Sequence, residues 1–362
     1  MFHLWRNAVR PARRAPNRRR VRPAIEALED RTLPANLAPT IFTDGAAGTG
    51  SLRDAVLTAN SNGEDNVITL QGGTYQLTLQ NGAAGQENAA LTGDLDLTAT
   101  GHTLVIQGQG PTQTIIDAAA AGVTPLLDRL FQVFPGVTVV FRDLTLSGGL
   151  AQDNGTAGKV PGTSESLGGC ILNAGTVTLD DVVVTGNAAI GGNGVGGGPG
   201  LDGEFGFNAA GGGISNTGIL NVVRSTIRDN KAQSGSGGNG GDEGGNGVSA
   251  QYAFGGGLYN AGGIVMLTAS TVAYNAAIGG QGGNGGDGRA LAGNGGFGGG
   301  SEGGGLYSYK GTLTLVDSTV ASNRAVGGNG GQGGSIDGNI PGGAGGAAAT
   351  SAAAASSSLR AS

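Results

Sequence analysis

The chain has 362 residues, 77 of them glycine, with 13% charged and 4% aromatic residues and a formal net charge of −6. That length suffices for one large domain or two small ones, and glycine at about one fifth of the chain without a collagen period indicates repeats with glycine-rich loops. So few aromatics argue against a core built on large rings, a net acidic body argues against nucleic acid as partner, and Cys170 as the only cysteine excludes an intramolecular disulfide.

Charge divides sharply along the chain. Nine arginines against Glu26, Glu29 and Asp30 give residues 1–31 a net +6 and leave about −12 for the remainder. Residues 1–38 read as a basic, disordered targeting segment without an apolar run long enough for a secretory or membrane-spanning stretch. PAIEALEDRTLPA, residues 23–35, resembles a bacterial amino-terminal export segment in which an arginine-rich arm precedes a Leu-Glu-x-Arg core, here Leu28, Glu29, Asp30 and Arg31. The resemblance implies an extracellular or cell-surface location.

SLRDAVLTAN, residues 51–60, predicts a short helix with Ser51 as N-cap, Asp54 three residues on and an apolar face of Leu52, Val56 and Ala59. After it come short apolar runs punctuated by Gly, Asn and Asp: VITL, YQLTL, LDLT, TLVIQG, TIIDA, LFQVF and VTVVF. His102, in TGHTLVI, reads as a solvent-facing strand residue.

From residue 170 on the chain repeats itself. Counting back from Asn187, Asn230, Asn275 and Asn323, the third residue before is Val184, Ile227, Val272 or Val320. The eighth is Leu179, Val222, Leu267 or Leu315, and the tenth is Val177, Leu220, Val265 or Leu313. The twelfth is always glycine: Gly175, Gly218, Gly263 and Gly311. A fainter copy places Val139, Phe141 and Leu146 in the apolar columns and Gly149 where the asparagine would stand. Cys170, next to Gly168 and Gly169, belongs to the same pattern and reads as a small buried apolar residue.

The spacings of 43, 45 and 48 residues between the asparagines differ only through glycine-rich inserts. Columns that survive such inserts fit a parallel solenoid of about seven to nine coils, each stacking its apolar columns on the next about 4.8 Å away. In that geometry the four asparagines form an internal ladder at a bend, and the glycine twelve residues earlier would take a backbone angle that a Cβ forbids.

SLRDAVLTANSNGEDNVITLQGGTYQLTL looks like the opening cap of the CSLREA-type right-handed β-helix proteins, although Gly50 stands where that family has its cysteine. RLFQVFPGVTVVFRDLTLSGG and the four repeats are similar to polymorphic outer membrane protein repeats and other pectin-lyase-like β-helices. The resemblance spans about residues 41–325 and implies an all-β, right-handed parallel β-helix over residues 39–325 with a short helical cap, followed by a Gly/Ala/Ser-rich tail, 326–362.

The inserts, at about 188–210, 231–254 and 276–302, leave the same point of each repeat and so should lie side by side. They hold too little apolar matter to fold alone and read as flexible or extended polyglycine loops, fastened by Phe207, by Tyr252 with Phe254, and by Phe297. Loops of that kind would exchange their amide hydrogens quickly. GGNGGD, at 237–242 and 282–287, matches six positions of a calcium-binding nonapeptide, which makes Asp242 and Asp287 weak candidate ligands. Gly244 and Arg289 occupy positions where large apolar residues should follow, so no cofactor is expected, with calcium as the alternative reading.

The family resemblance calls for a search for carboxylates. The sixth residue before each asparagine-column position is Asp143, Asp181, Arg224, Ala269 or Asp317, and Arg142 and Asp180 adjoin them. Asp143, Asp180, Asp181 and Arg224 are therefore the candidate catalytic set of a polysaccharide lyase or glycoside hydrolase. The alternative is that these residues are ion pairs at a strand end. On balance the sequence indicates a non-enzymatic, adhesin-like or polysaccharide-binding surface or matrix protein. Its expected partners are polysaccharide or a cell-surface protein, and it is expected to be a monomer without a transmembrane segment.

Overall fold

The computed structural model describes residues 33–336, 340–341, 343–349 and 351–352. His3, the Leu28–Arg31 core of the export-like segment, and residues 353–362 lie outside the described residues.

The helix forms where the sequence places it, Leu52–Ser61, because the Ser51 hydroxyl accepts a hydrogen bond from the Asp54 amide at 3.1 Å and closes the first turn. Its buried side includes Leu52, Ala55, Val56 and Ala59, as periodicity requires, and also Arg53, which periodicity does not predict. From there the chain winds as a right-handed parallel β-helix.

One long sheet runs in the order Ala35–Leu37, Asn66–Thr69, Thr103–Gln107, Thr138–Ser147, Thr176–Thr185, Ile219–Val223, Ile264–Thr268 and Thr312–Val316, all parallel. A second sheet stacks Leu95–Leu97, Phe131–Val133, Ile171–Asn173, Ile214–Asn216, Leu258–Ala261 and Leu306–Tyr309. The register matches the sequence columns: Val139, Val177, Leu220, Val265 and Leu313 lie on successive coils, with Phe141, Leu179, Val222, Leu267 and Leu315 beside them. Through Leu267 and Val272 these side chains are buried, each contributing about 1.5–3 kcal/mol, whereas Leu313, Leu315 and Val320 of the last coil are only partly covered. Cys170 sits fully buried in the same core, as expected of a small apolar residue.

The asparagine ladder is present. Both the backbone amide and the Nδ2 of Asn187 donate to Asn230 Oδ1, at 3.1 and 2.9 Å. Asn230 repeats the pattern on Asn275 and Asn275 repeats it on Asn323. A second ladder runs along another corner, from Asn173 to Asn216 at 2.6 Å and on to Asn260 at 2.9 Å.

The glycine twelve residues before each asparagine has a different cause from the one expected. None of Gly175, Gly218, Gly263 and Gly311 is in the left-handed region. A Cβ at Gly263 would instead lie 2.5 Å from the carbonyl oxygen of Gly218 on the preceding coil. Close stacking of backbones, not an unusual dihedral, is what excludes a side chain here.

The inserts differ most from expectation, because they are hydrogen-bonded structure. Gly194, Gly197 and Gly191 donate to Ser236, Asn239 and Gln233, and Gly237 and Gly240 donate to Gln281 and Asn284, so each outgoing limb bonds its neighbour at every third residue. A repeat of three without internal hydrogen bonds is the signature of polyproline-II backbone. The returning limbs form a second layer: Gly238 donates to Glu204, Gly283 to Val248 and Gly331 to Gly296, at 2.8–2.9 Å. Glycine is needed where these layers meet, since a Cβ on Gly237 would overlap the Val248 carbonyl, and also between neighbouring outgoing limbs, where a Cβ on Gly283 would overlap the Gly238 carbonyl. The inserts begin and end in true strands, such as Lys231–Gln233 and Ala253–Phe254, whose alanines Ala151, Ala189, Ala232, Ala277, Ala209 and Ala253 pack as a small second core.

Candidate functional site

The acid and arginine column is placed by backbone geometry. Asp143, Asp181, Arg224, Ala269 and Asp317 all lie in the left-handed region, with φ of 56, 55, 48, 50 and 48°. Arg224, Ala269 and Asp317 mark the bend between one strand and the next, while Asp143 and Asp181 take the same backbone angle within Thr138–Ser147 and Thr176–Thr185, and Asp is among the few residues that adopt this conformation readily. Asp180 lies between two guanidiniums, with Arg142 Nε at 3.5 Å and an ion pair to Arg224 NH2. The structure thus brings Arg142, Asp180 and Arg224 together as a ladder across three coils and gives Asp143 and Asp181 a conformational reason to be there. His102 lies just before the strand Thr103–Gln107, with its Nδ1 4.0 Å from Asp65.

Asp242 and Asp287 sit at the tips of the second and third inserts, around an open cleft of about 690 Å³ shared with Glu243, Arg289 and Leu291. Asp287 Oδ1 accepts from the Ser335 amide at 2.6 Å, so it ties one insert to the next. Among the described residues no group of three or more His, Cys, Asp or Glu is positioned to hold a metal ion.

The aromatic residues do something else. Tyr252 and Phe297, expected to fasten the inserts, are 49% and 60% exposed on the outer face of the returning layer. Phe254 lies at the end of that layer, immediately before the left-handed Gly255 that turns the chain into the second sheet. Beyond the bend, Tyr259 and Tyr307 occupy the same register position on adjacent coils. Rings from both sides of the bend then meet: Phe254 is 6.0 Å from Tyr252, 5.9 Å from Tyr259 and 5.2 Å from Tyr307 between centroids, and Tyr259 and Tyr307 stack at 5.9 Å. All four contacts have interplanar angles of 7–26°.

A cleft of about 440 Å³ adjoins this corner, lined by Tyr252, Phe297, Ser301 and Glu302 among others. Glu302 follows Phe254 in register on the next coil, and its neighbouring carboxyl group, which favours the protonated phenol, is the main reason Tyr307 is pushed up to about 12. Burial, and then the charge of Glu165, raises Tyr259. The site is therefore a set of flat apolar faces edged by two carboxylates, an arrangement suited to ligands with one apolar face and hydroxyl groups at the edge.

Sequence reasoning missed a buried ionic cluster inside the amino-terminal coils. Arg129, fully buried, donates through NH2 to Asp153 Oδ1 at 2.7 Å and lies 3.5 and 3.6 Å from Asp94 and Asp128. Burial opposes its charge, but Asp128, Asp94 and Asp153 together hold its pKa above the usual value. Burial, reinforced by Asp128 and Asp96, pushes Asp94 well up, and burial takes Asp96 to about 7. Asp96 Oδ1 has no hydrogen-bond partner, the environment of a neutral carboxyl. Nearby, burial disfavours the Asp44 carboxylate, yet Arg53 at 2.9 Å and the amides of Leu79 and Thr78 hold it below the ordinary value. Clustered Asp residues in GDLDL and LLDRLF were the available signal, but without the fold nothing distinguished them from surface charges.

No protein-family description and no curated protein matches the chain. Among solved structures it is similar to Escherichia coli ybhc, at 12% identity over 83% of this chain and 74% of that one with a TM-score of 0.30. It is also similar to a pectin methylesterase in complex with a hexasaccharide, at 9% identity over 82% and 93% with a TM-score of 0.30. The A-module of an Azotobacter vinelandii mannuronan C-5 epimerase, AlgE4, matches at 16% identity over 80% and 96% with a TM-score of 0.25. Superpositions this loose transfer no residue roles, and the β-helix assignment rests on the parallel register of the chain itself.

Proposed function

We propose that this chain is an exported, non-enzymatic β-helix protein of a bacterial surface or matrix, whose aromatic corner holds polysaccharide. The observation that carries this reading is the stack of Tyr252, Phe254, Tyr259 and Tyr307 on a half-exposed bend. Tyr252 is 49% exposed and Phe254, Tyr259 and Tyr307 are half-buried beside it, and the apolar surface this stack leaves open matches the C–H face of a sugar ring, while the phenol and carboxylate groups at the edge bond its hydroxyls. The arginine-rich segment ending in Leu28–Arg31 supports export.

The enzyme alternative, at Asp143, Asp180, Asp181 and Arg224, has less support. Asp180 is paired with two arginines, and Asp143 and Asp181 answer a backbone requirement. The experiment is retention of the protein on immobilised polysaccharides, run with the Tyr259→Ala/Tyr307→Ala double variant and with Asp181→Asn. Retention is expected to fall tenfold or more in the tyrosine variant and to remain in Asp181→Asn, with no shortening of the polymer. Cleavage lost in Asp181→Asn would establish the enzyme instead.

A further inference from the structure

Phe205 and Phe297, 62% and 60% exposed, lie on the outer face of the returning layer, one polyproline turn before the row of Tyr252. Hydrogen bonds set both residues beside Ser249: Ala250 donates to the Phe297 carbonyl at 2.9 Å and the Phe297 amide donates to Ser249 Oγ at 3.3 Å, while the Asn246 and Tyr252 amides donate to Asp202 Oδ1 and Asn208 Oδ1 on either side of Phe205. The aromatic faces therefore continue outward from the corner, with rows about 9 Å apart along the limb. The cleft that joins Phe297 to Tyr252 is bounded on its inner side by Glu302.

Two carboxylates stand on this track. Glu302 is placed at its centre by the register with Phe254, and Glu165 is close enough to act on Tyr259. Lys310, at the end of the same strand as Tyr307, has its Nζ 4.8 Å over the Tyr309 ring and is engaged there. The rest of the body outside residues 1–31 carries a net of about −12, so the long-range field is also negative.

From this juxtaposition we infer that the track takes an extended, uncharged glycan rather than an acidic one: a polymer of hydroxyl-bearing sugars that stack on Phe297, Tyr252 and Tyr307 while donating hydrogen bonds to Glu302. The inference rests on the polysaccharide reading above and narrows it. A uronate polymer would place its carboxylates against Glu302 and Glu165, and Lys310, whose ammonium lies over the Tyr309 ring, sets one cation against those two carboxylates. A neutral sugar instead finds in Glu302 an ionised acceptor, which bonds a hydroxyl more strongly than a neutral acceptor does.

The test is affinity electrophoresis of the purified chain in gels containing a neutral β-glucan, a neutral mannan, polygalacturonate or alginate, at low and at high salt. Retardation is expected in at least one neutral gel, at least tenfold stronger than in either acidic gel and insensitive to salt. Phe297→Ala, far from the core, should weaken it severalfold, and Glu302→Gln should weaken it further with an unchanged unfolding temperature. Stronger retardation by polygalacturonate or alginate overturns the inference and leaves the polysaccharide reading intact. No retardation in any gel overturns both, and neutral-gel retardation unaffected by Phe297→Ala and Glu302→Gln shows that the track is not the site.

Discussion

Asn230 shows how much a single side chain does in this fold. Its Oδ1 accepts two hydrogen bonds from Asn187, and its Nδ2 donates to Asn275 Oδ1 and the Val184 carbonyl, both at 3.0 Å. Asn230→Ala removes the side-chain partner of the buried Asn187 amide and of the Val184 carbonyl and one bond each from Asn187 Nδ2 and Asn275 Oδ1, and is expected to cost about 2–4 kcal/mol, read as a lower midpoint of chemical denaturation. The opposite sign is expected at Ala269, whose φ of 50° places its Cβ against the following carbonyl. Ala269→Gly should raise stability by about 0.5–1 kcal/mol, measured as a higher unfolding temperature. The asparagine ladder was legible because one residue type recurred in register; the bend was not, because Asp, Arg and Ala share no chemistry, only a backbone angle. The Asn173, Asn216 and Asn260 ladder was within reach of the same search, but its last position becomes Ser308, where the hydroxyl accepts from Asn260 Nδ2 at 3.1 Å.

Among the elements, the polyglycine limbs carry the main lesson. Composition says only that such segments bury little apolar surface, which describes a flexible linker and a hydrogen-bonded layer equally well. What separates the two is whether a neighbour stands at bonding distance, and the β-helix supplies one on every coil. Side chains contribute as well: Asn239 Oδ1 accepts from the Asn284 amide and Asn284 Oδ1 from the Gln332 amide, both at 2.8 Å, which accounts for an amide residue at every third position. Hydrogen exchange should therefore find the amides of Gly238, Gly283 and Gly331 protected alongside the core strands. Gly283→Ala, whose Cβ overlaps the Gly238 carbonyl, should release protection in the second and third inserts while the Val and Leu columns stay protected. Fast exchange of those glycines in the unmodified protein would contradict the layered arrangement.

For the whole molecule, the buried carboxyls set the response to pH. A carboxyl whose folded pKa lies above its unfolded value keeps, in the native state, a proton that the unfolded chain has lost. Its contribution therefore declines as pH rises from about 4 to about 7 for Asp96, and declines likewise as pH rises above the ordinary carboxylate range for Asp94. Asp44 acts in the other direction, losing stability as pH falls below its ordinary value of 3.8. Stability should thus be greatest in mildly acid solution and fall towards pH 8 as the buried carboxyl cluster is forced to ionise. Asp96→Asn should flatten that decline in a series of unfolding curves between pH 5 and pH 8, and an unaltered slope would show that Asp96 is ionised in the native state.

The sequence by itself determined the solenoid: a helix cap at Ser51, three apolar columns and an asparagine recurring in register leave one way to bury every column at once, by stacking parallel coils. Those features are local or periodic, and periodicity survives in a string of letters. The tertiary structure alone decided that the inserts are layers, that Tyr252, Phe254, Tyr259 and Tyr307 share one corner, and that Asp94, Asp128 and Asp153 converge on Arg129. Each of these depends on which residues of different coils lie side by side, and inserts of unequal length hide that relation until the chain is wound.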